Sequence, residues 1–490
     1  MYYSRKSSCG FFFFRLALRI YADFASVVDR LSIKELQVNV VTYPSSMYLA
    51  ASTLRISATT NPDLFEKRTR QEQMAGLMAT SLRNPRGSIA LLKKPSQPLG
   101  KFALPSLGLK WRSPVTKAIA TPVNIIASVP GFVQLAEPVP VEVSLMDVVK
   151  SLPKEVFEID EFKAWKTVAI TISALAAGYA ALAVAPWYLY PVVYMYLGTA
   201  VTGLFVVGHD CGHNSFSKSQ LVNDVVGTIM MAPLIYPFEP WRIKHNIHHA
   251  HTNKLIMDTA WQPFRPHQFD RAGPFTKAVM KAAMGPLWWV ASVGHWLLWH
   301  FDLSKFRTQD LPKVKVSLVA VLAFTLVVLL PLLITQGPIG FIKWWLLPWL
   351  GFHFWMSTFT LVHHTAPHIP FKQNREWNVV EAQLNGTVHC DYPAWVEILC
   401  HDISVHIPHH VSTRIPSYNL RKAYASIQKN WDKYLNKAVF GIPLISTIIN
   451  ECNLFDAEQK KWIKFEKAAR QLQSSGGKPS SASNDSTCLN

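Results

Sequence analysis

The fold this sequence predicts is an all-α integral membrane protein. Four transmembrane helices pair into two hairpins, with interfacial helices and a histidine-rich cap on one face. Three observations carry that reading. Only 16% of the 490 residues are charged, against about 25% in ordinary soluble proteins. Four apolar runs, Val168–Tyr188, Pro191–Gly208, Val316–Gln336 and Trp344–Val362, approach the ~20 residues a helix needs to cross a bilayer. Three histidine clusters stand at or beyond the ends of these runs.

Taken in chain order, residues 1–73 read as an N-terminal extension. Phe11–Phe14 start like a secretory signal, but Arg15 and Arg19 interrupt the apolar run. A disordered N-terminus is the plainer alternative, and "MATSLRNPRGS" from Met78 reads like a natural beginning. Between Gln73 and Ala136 there is no Asp or Glu, while Arg83, Arg86, Lys93, Lys94, Lys101 and Lys110 are scattered among Ser, Ala, Pro and Leu. That is the composition of an organellar transit peptide, here residues 74–136. Residues 137–167 follow as the mature N-terminal region. Ser144 and Asp147 have the spacing of a capping box before a short helix, and "KSLPKEVFEID" leads to the membrane domain, residues 168–470. Residues 471–490 are Ser/Gly-rich and read as a disordered tail.

None of the four spans contains Asp, Glu, Lys or Arg, so none offers an ion path. Two shorter runs, Val225–Pro237 and Pro286–His300, read as interfacial or re-entrant. The second carries Trp288, Trp289, Trp296 and Trp299, as segments at headgroup level do. The link "APWYLYP" between the first two spans has no basic residue, and "ITQGPIGFIK" between the last two has only Lys343. The loop from His209 to Lys281 is rich in Lys and Arg. Both hairpins therefore enter and leave from one positive face.

The net charge of +18 would also suit nucleic acid, but the excess lies in the N-terminal third and beside apolar runs. No basic stripe interleaved with aromatics exists, so a lipid bilayer and not nucleic acid is the expected partner. The six cysteines are scattered without a CxxC pair, which argues against a disulfide framework or a thiolate zinc site.

The chemistry lies in "HDCGH" (His209, His213), "HNIHH" (His245, His248, His249) and "HIPHH" (His406, His409, His410). Residues three or four apart share a helix face, so His209 and His213 are expected to converge, as are His245, His248 and His249. Pro408 is tolerated in a first turn, so the third box is expected to open a helix. Eight imidazoles exceed one tetrahedral zinc site, and there is no HExxH. They suit two transition metals, and nitrogen ligands with open positions suit iron. Asp210, Asp258, Asp391 and Asp402 are candidates to orient the ligands, each with the alternative of a merely solvated carboxylate. His251, His295, His300, His353, His368, His389 and His401 read individually as structural. A di-iron centre would explain the boxes, since an unactivated methylene has no acidic proton and its oxidation is cofactor chemistry.

The order HxxxH, HxxHH, HxxHH resembles that of the membrane fatty acid desaturases. "PKEVFEID", "GHDCGHNSFSK", "YPFEPWRIKHNIHHAHTN", "DTAWQP", "HFWMSTFTLVHHTAPHIPF", "QLNGTVHCDYPAW", "LCHDISVHIPHH" and "RIPSYNLR" are similar to the plastid omega-6 branch, and next to its cyanobacterial counterparts. The resemblance runs from about Asp147 to Asn450. It implies two non-haem ferrous irons and desaturation of oleoyl to linoleoyl chains on membrane glycerolipids. It further implies electrons from ferredoxin, and a multi-pass plastid membrane protein with its di-iron cap on the stromal side. It also implies one more histidine ligand upstream of the third box, where "TLVHHTAPH" offers His364, with His363 as its rival. Two positions depart from the plant pattern: Gly212 stands where Ala is usual, and Asn246-Ile247 where Asp-Arg is usual. A di-iron hydroxylase would share the boxes, and a metal transporter is the reading from another class. The transporter would need polar groups inside the spans.

Overall fold

The computed structural model describes residues 129–468. The expectations for the N-terminal extension, for most of the transit-peptide-like segment and for the tail lie outside the described residues.

Helix α1 (Leu145–Lys150) starts as its sequence requires: Ser144 Oγ accepts the Asp147 N–H, and the Ser144 N–H donates to the Asp147 carboxylate at 2.9 Å. Two otherwise orphaned donors are satisfied. Asp160 caps α2 (Glu161–Val184), which begins seven residues before the apolar run and ends where Ala185 turns to extended backbone (ψ 141°). The cap and the disfavoured helical conformation before Pro186 set these limits, and neither is a hydropathy signal. Helix α3 (Tyr190–Gly212) opens with Pro191 in its first turn and is continuously buried from Leu197 onward.

Helices α2 and α3 run antiparallel. Gly178 faces Leu197, the Tyr196 hydroxyl donates to the Ala174 carbonyl at 3.2 Å, and Thr171 lies beside Gly203. After α4 (Gln220–Met231) the chain bends by 101° into α5 (Phe238–Ala250). The Trp-rich run becomes α6 (Ala291–His300), too short at about 15 Å to cross a bilayer.

The third and fourth apolar runs form one helical stretch of 54 residues, Leu311–His364. It comprises α7 (Leu311–Phe324), α8 (Leu330–Phe341) and α9 (Leu347–His364), linked by π-helical turns. As a straight rod it would be about 80 Å long, far beyond ~30 Å of hydrocarbon. It breaks at Gly337, whose φ of 67° and ψ of −178° are open to glycine alone at low cost. Among the described residues three helices are long and apolar enough to cross a membrane, or four if the bent pair α4–α5 counts as one. Helices α3 and α9 lie side by side in the same direction. The Tyr194 hydroxyl donates to the Lys343 carbonyl, Gly198 abuts Gly351, and Trp355 Nε1 donates to Thr199 Oγ1 at 2.7 Å. A Cβ on Gly198 would come within 2.6 Å of the Gly351 backbone, so small residues let the two helices touch.

The all-α expectation needs one correction. A three-stranded sheet orders β1 (Phe132–Gln134), β3 (Asn436–Val439) and β2 (Val388–Asp391), with β1 antiparallel and β2 parallel to the central strand. A second pair joins β4 (Leu454–Asp456) to β5 (Lys461–Ile463). Strands of three or four residues are too short to show a period in sequence. Beyond α9 the chain adds α10 (Val379–Leu384) and α11 (His406–Val411), the helix that the third box was expected to open.

Candidate metal centre

The side-by-side course of α3 and α9 brings His209 and His213 at the end of one to His364 at the end of the other. Helices α5 and α11 bring the remaining boxes to the same place. The imidazoles sort into two groups. In the first, His209, His213, His245, His249 and His409 offer ring nitrogens within 4.8 Å of one another; in the second, His248, His364 and His410 do so. His406 joins the second, its Nε2 3.0 Å from Nε2 of both His364 and His410.

His209 and His213 converge as their spacing predicted. His245, His248 and His249 do not all converge: His245 and His249 serve the first group and His248 the second. Consecutive residues on a helix point about 100° apart, so an HH pair placed between two centres feeds both. The third box divides likewise, His409 to the first group and His406 with His410 to the second. His363 lies edge-on to His406 with ring centroids 4.4 Å apart, but its Nε2 is directed to the Tyr392 hydroxyl at 3.2 Å and to neither group.

The spacing within the groups fits a bound cation. Nε2 atoms face Nε2 atoms at 3.0 Å (His209–His245) and 3.1 Å (His209–His409 and His245–His249). A neutral imidazole has only one N–H, so such a cluster cannot satisfy itself by hydrogen bonding. With metal–nitrogen distances of about 2.0–2.1 Å, ligands at right angles lie about 3.0 Å apart. His213 Nε2 is buried without any partner. Burial, reinforced by neighbouring imidazoles, holds His406, His409 and His410 well below the usual histidine pKa. They are therefore neutral lone-pair donors, the state a metal requires.

The far nitrogens are held by polar neighbours. His248 Nδ1 lies 2.7 Å from Asp258 Oδ1, and the buried Asp258 carboxylate also accepts the N–H groups of Asn253 and Ala260. His410 Nδ1 lies 2.8 Å from Gln383 Oε1, whose amide donates to the His249 carbonyl. Thr252 Oγ1 donates to the His248 carbonyl and lies 3.2 Å from His410 Nδ1. Of the four nominated carboxylates, Asp258 alone is within hydrogen-bond distance of a box histidine. Asp210 is 3.7 Å from His209 Nδ1 and takes the Ser417 N–H; Asp391 pairs with His389 and Asp402 with Arg421. Sequence reasoning missed Gln383 and Thr252. Uncharged residues give no electrostatic signal, although "QLNGT" stood among the distinctive motifs. His353, His368 and His401 bond to Ser292, Asn436 and Thr171, outside both groups.

On the apolar side, Trp241 stacks on His245 at 4.7 Å with an interplanar angle of 21°. Phe205 meets Trp241, Tyr236 and Phe352 at 5.2–5.5 Å. A Cβ at position 212 would come within 2.5 Å of the Trp241 ring, so the departure to Gly212 makes room for this indole.

Comparison with known proteins agrees with this arrangement. The fatty acid desaturase family model matches residues 185–439, which contain both groups. The chain is 56% identical over 340 residues to the chloroplastic omega-6 fatty acid desaturase of Brassica napus, covering 69% of this chain and 76% of that one. It is 52% identical over 373 residues to the protein of that name in Arabidopsis thaliana (74% and 83% covered). It is 53% identical over 319 residues to the sn-1 oleoyl-lipid 12-desaturase of Anabaena variabilis (65% and 91% covered). With helices apolar enough to cross a membrane, paired histidine groups and relatives of this kind, the chain belongs to the fatty acid desaturase family.

Proposed function

We propose that this protein is an acyl-lipid omega-6 (delta-12) desaturase, which converts oleoyl to linoleoyl chains in plastid membrane glycerolipids with O2 and electrons from ferredoxin. The observation that carries the reading is the division of nine imidazoles into adjoining groups of five and four, on a chain whose relatives bear omega-6 and 12-desaturase names.

His209, His213, His245, His249 and His409 would hold one iron and His248, His364, His406 and His410 the other. Bound there, the pair supplies the one-electron chemistry that removes hydrogen from an unactivated methylene. The residues of the chain do the rest. Asp258, Gln383 and the Ile403 carbonyl occupy Nδ1 of His248, His410 and His406, which aims Nε2 inward. Trp241, Phe205, Tyr236 and Phe352, buried against one another beside His209 and His245, form an apolar wall that excludes water and that an acyl chain would meet on its way to the centre.

The parallel course of α3 and α9 supports a two-hairpin arrangement in the membrane with the histidine cap at the face where both hairpins enter and leave, the face we read as stromal. So does the start of α7 against α5, where Ser317 Oγ accepts the Glu239 N–H at 3.0 Å. Expression in a cyanobacterium lacking linoleate, followed by mass spectrometry of its fatty acids, tests the reading. Linoleate formed from oleate is expected, with little activity on stearoyl chains. A monoene made from stearate, alpha-linolenate made from linoleate, or a hydroxylated product would overturn it.

A further inference from the structure

A half-buried tryptophan links the outer surface to the second histidine group. Trp377 lies in the segment that leads from the histidine-bearing end of α9 to the start of α10. Its Nε1 donates to the Thr252 carbonyl at 2.8 Å, and Thr252, wholly buried, places Oγ1 3.2 Å from His410 Nδ1. One residue thus separates the indole from a box histidine. The link is braced: Lys372 N–H donates to the Asn253 carbonyl at 3.0 Å and Leu255 N–H to the Lys372 carbonyl at 2.9 Å. A hollow of about 140 Å³, lined in part by Trp377, Asn253 and Lys372, opens beside the ring.

The charges around it are unbalanced. Lys372 pairs with Glu381 and Lys460 with Glu376. Arg375 is exposed, and Lys254 rests its ammonium 4.8 Å from the Trp377 ring centroid. Neither has a carboxylate partner among the described residues. Arg375 therefore leaves the mouth of the link cationic at the surface, with the buried Lys254 adding its charge from behind the ring.

We infer that the face around Trp377 is the landing site of the electron donor, a small acidic iron–sulfur protein, and that Trp377 and Thr252 carry its electrons to the group of His248, His364, His406 and His410. The inference rests on the desaturase reading, which requires an external reductant. Each docking moves one electron from the donor's reduced cluster into this protein. Two such events, two protons from water and the two hydrogen atoms leaving the acyl chain turn O2 into two waters as one double bond forms. A cationic rim steers an acidic carrier, and electron tunnelling weakens steeply with distance, so a braced aromatic at the surface is where a donor gains most by landing. The acyl chain arrives from the membrane side, so the two reactants do not compete for this face.

The test uses the full chain in detergent, with Arg375→Glu, Trp377→Leu and Trp377→Phe. Binding of oxidised plant-type ferredoxin to the metal-free protein is measured by biolayer interferometry at low and high salt. Arg375→Glu is expected to weaken it about tenfold at low salt, with the difference shrinking at high salt. In iron-loaded protein, Trp377→Leu is expected to slow reduction by photoreduced ferredoxin severalfold while reduction by dithionite is unchanged, and Trp377→Phe to restore much of the rate. Parental binding and parental reduction rates in all variants would overturn the inference. So would equal slowing with both reductants, which marks Trp377 as a structural prop for Thr252. If the parent accepts electrons only from cytochrome b5 and the variants lose that transfer, the landing face stands and only the proposed donor is wrong.

Discussion

His248 and His249 are neighbours in the chain and face different centres. His248 anchors its Nδ1 on Asp258 at 2.7 Å and turns toward His364 and His410, whereas His249 Nε2 lies 3.1 Å from His245 Nε2. One helical turn of α5 therefore holds both groups at a fixed separation, a rigid support of the kind a two-metal site needs.

From this follows the first prediction. Purified protein should contain two irons. His248→Ala and His249→Ala should each lose metal, the first from the group containing His364 and the second from the group containing His213. His364→Ala should lose iron, while His363→Ala and His368→Ala, outside both groups, should keep it. Elemental analysis decides. Zinc in the parent, or equal losses at His363 and His364, would contradict the assignment.

Asp258→Asn should weaken iron retention roughly 10- to 100-fold, the usual cost of losing a carboxylate behind a metal-bound imidazole. Asp402→Asn is the control, because Asp402 pairs with half-exposed Arg421, and such pairs contribute about 1 kcal/mol or less. Chelator titration of the two variants should separate them.

The lowered pKa values of His406, His409 and His410 give a sign to the pH dependence. The folded chain keeps these rings neutral, while the unfolded chain protonates them near 6.5. Stability is thus complete above about pH 6.5 and falls as pH drops below it, by up to about 1.4 kcal/mol per pH unit for each ring. The thermal midpoint of metal-free protein, measured from pH 8 to pH 5, should decline on the acid side. A flat profile would mean that the rings escape burial.

Gly212→Ala should disturb the Trp241 stack on His245, since the added Cβ meets the indole at 2.5 Å. Overpacking of this kind costs about 1–3 kcal/mol. Trp241→Phe should relieve part of it, so a double-mutant cycle in thermal stability should show coupling of about 0.5–3 kcal/mol. Additive effects would mean that the two residues do not press on each other.

Strand β1 falls inside the segment whose composition reads as a transit peptide, residues 74–136, yet it pairs with β3, and Gly131 packs on Leu444. A mature protein that keeps this strand must begin upstream of Gly131. N-terminal sequencing of the organellar protein should find its start between Ala118 and Val129. A start after Gln134 would show that the sheet is dispensable.

By itself the sequence determined what depends on local pattern. Apolar runs of bilayer length marked the long apolar helices, Ser144 and Asp147 marked the cap of α1, and the three boxes marked the imidazoles that gather into two groups. Each of these is a regularity within some twenty residues, and helix geometry acts at that range. Only the tertiary structure decided how the boxes divide between two groups, why His364 and not His363 points inward, and that Gln383 and Thr252 stand behind the imidazoles. It alone joined β1 to β3 across 300 residues of chain. Those outcomes depend on which helix faces meet. The α3–α9 contact at Gly198 and Gly351 sets the meeting, and in the one-dimensional chain those two glycines look like any others.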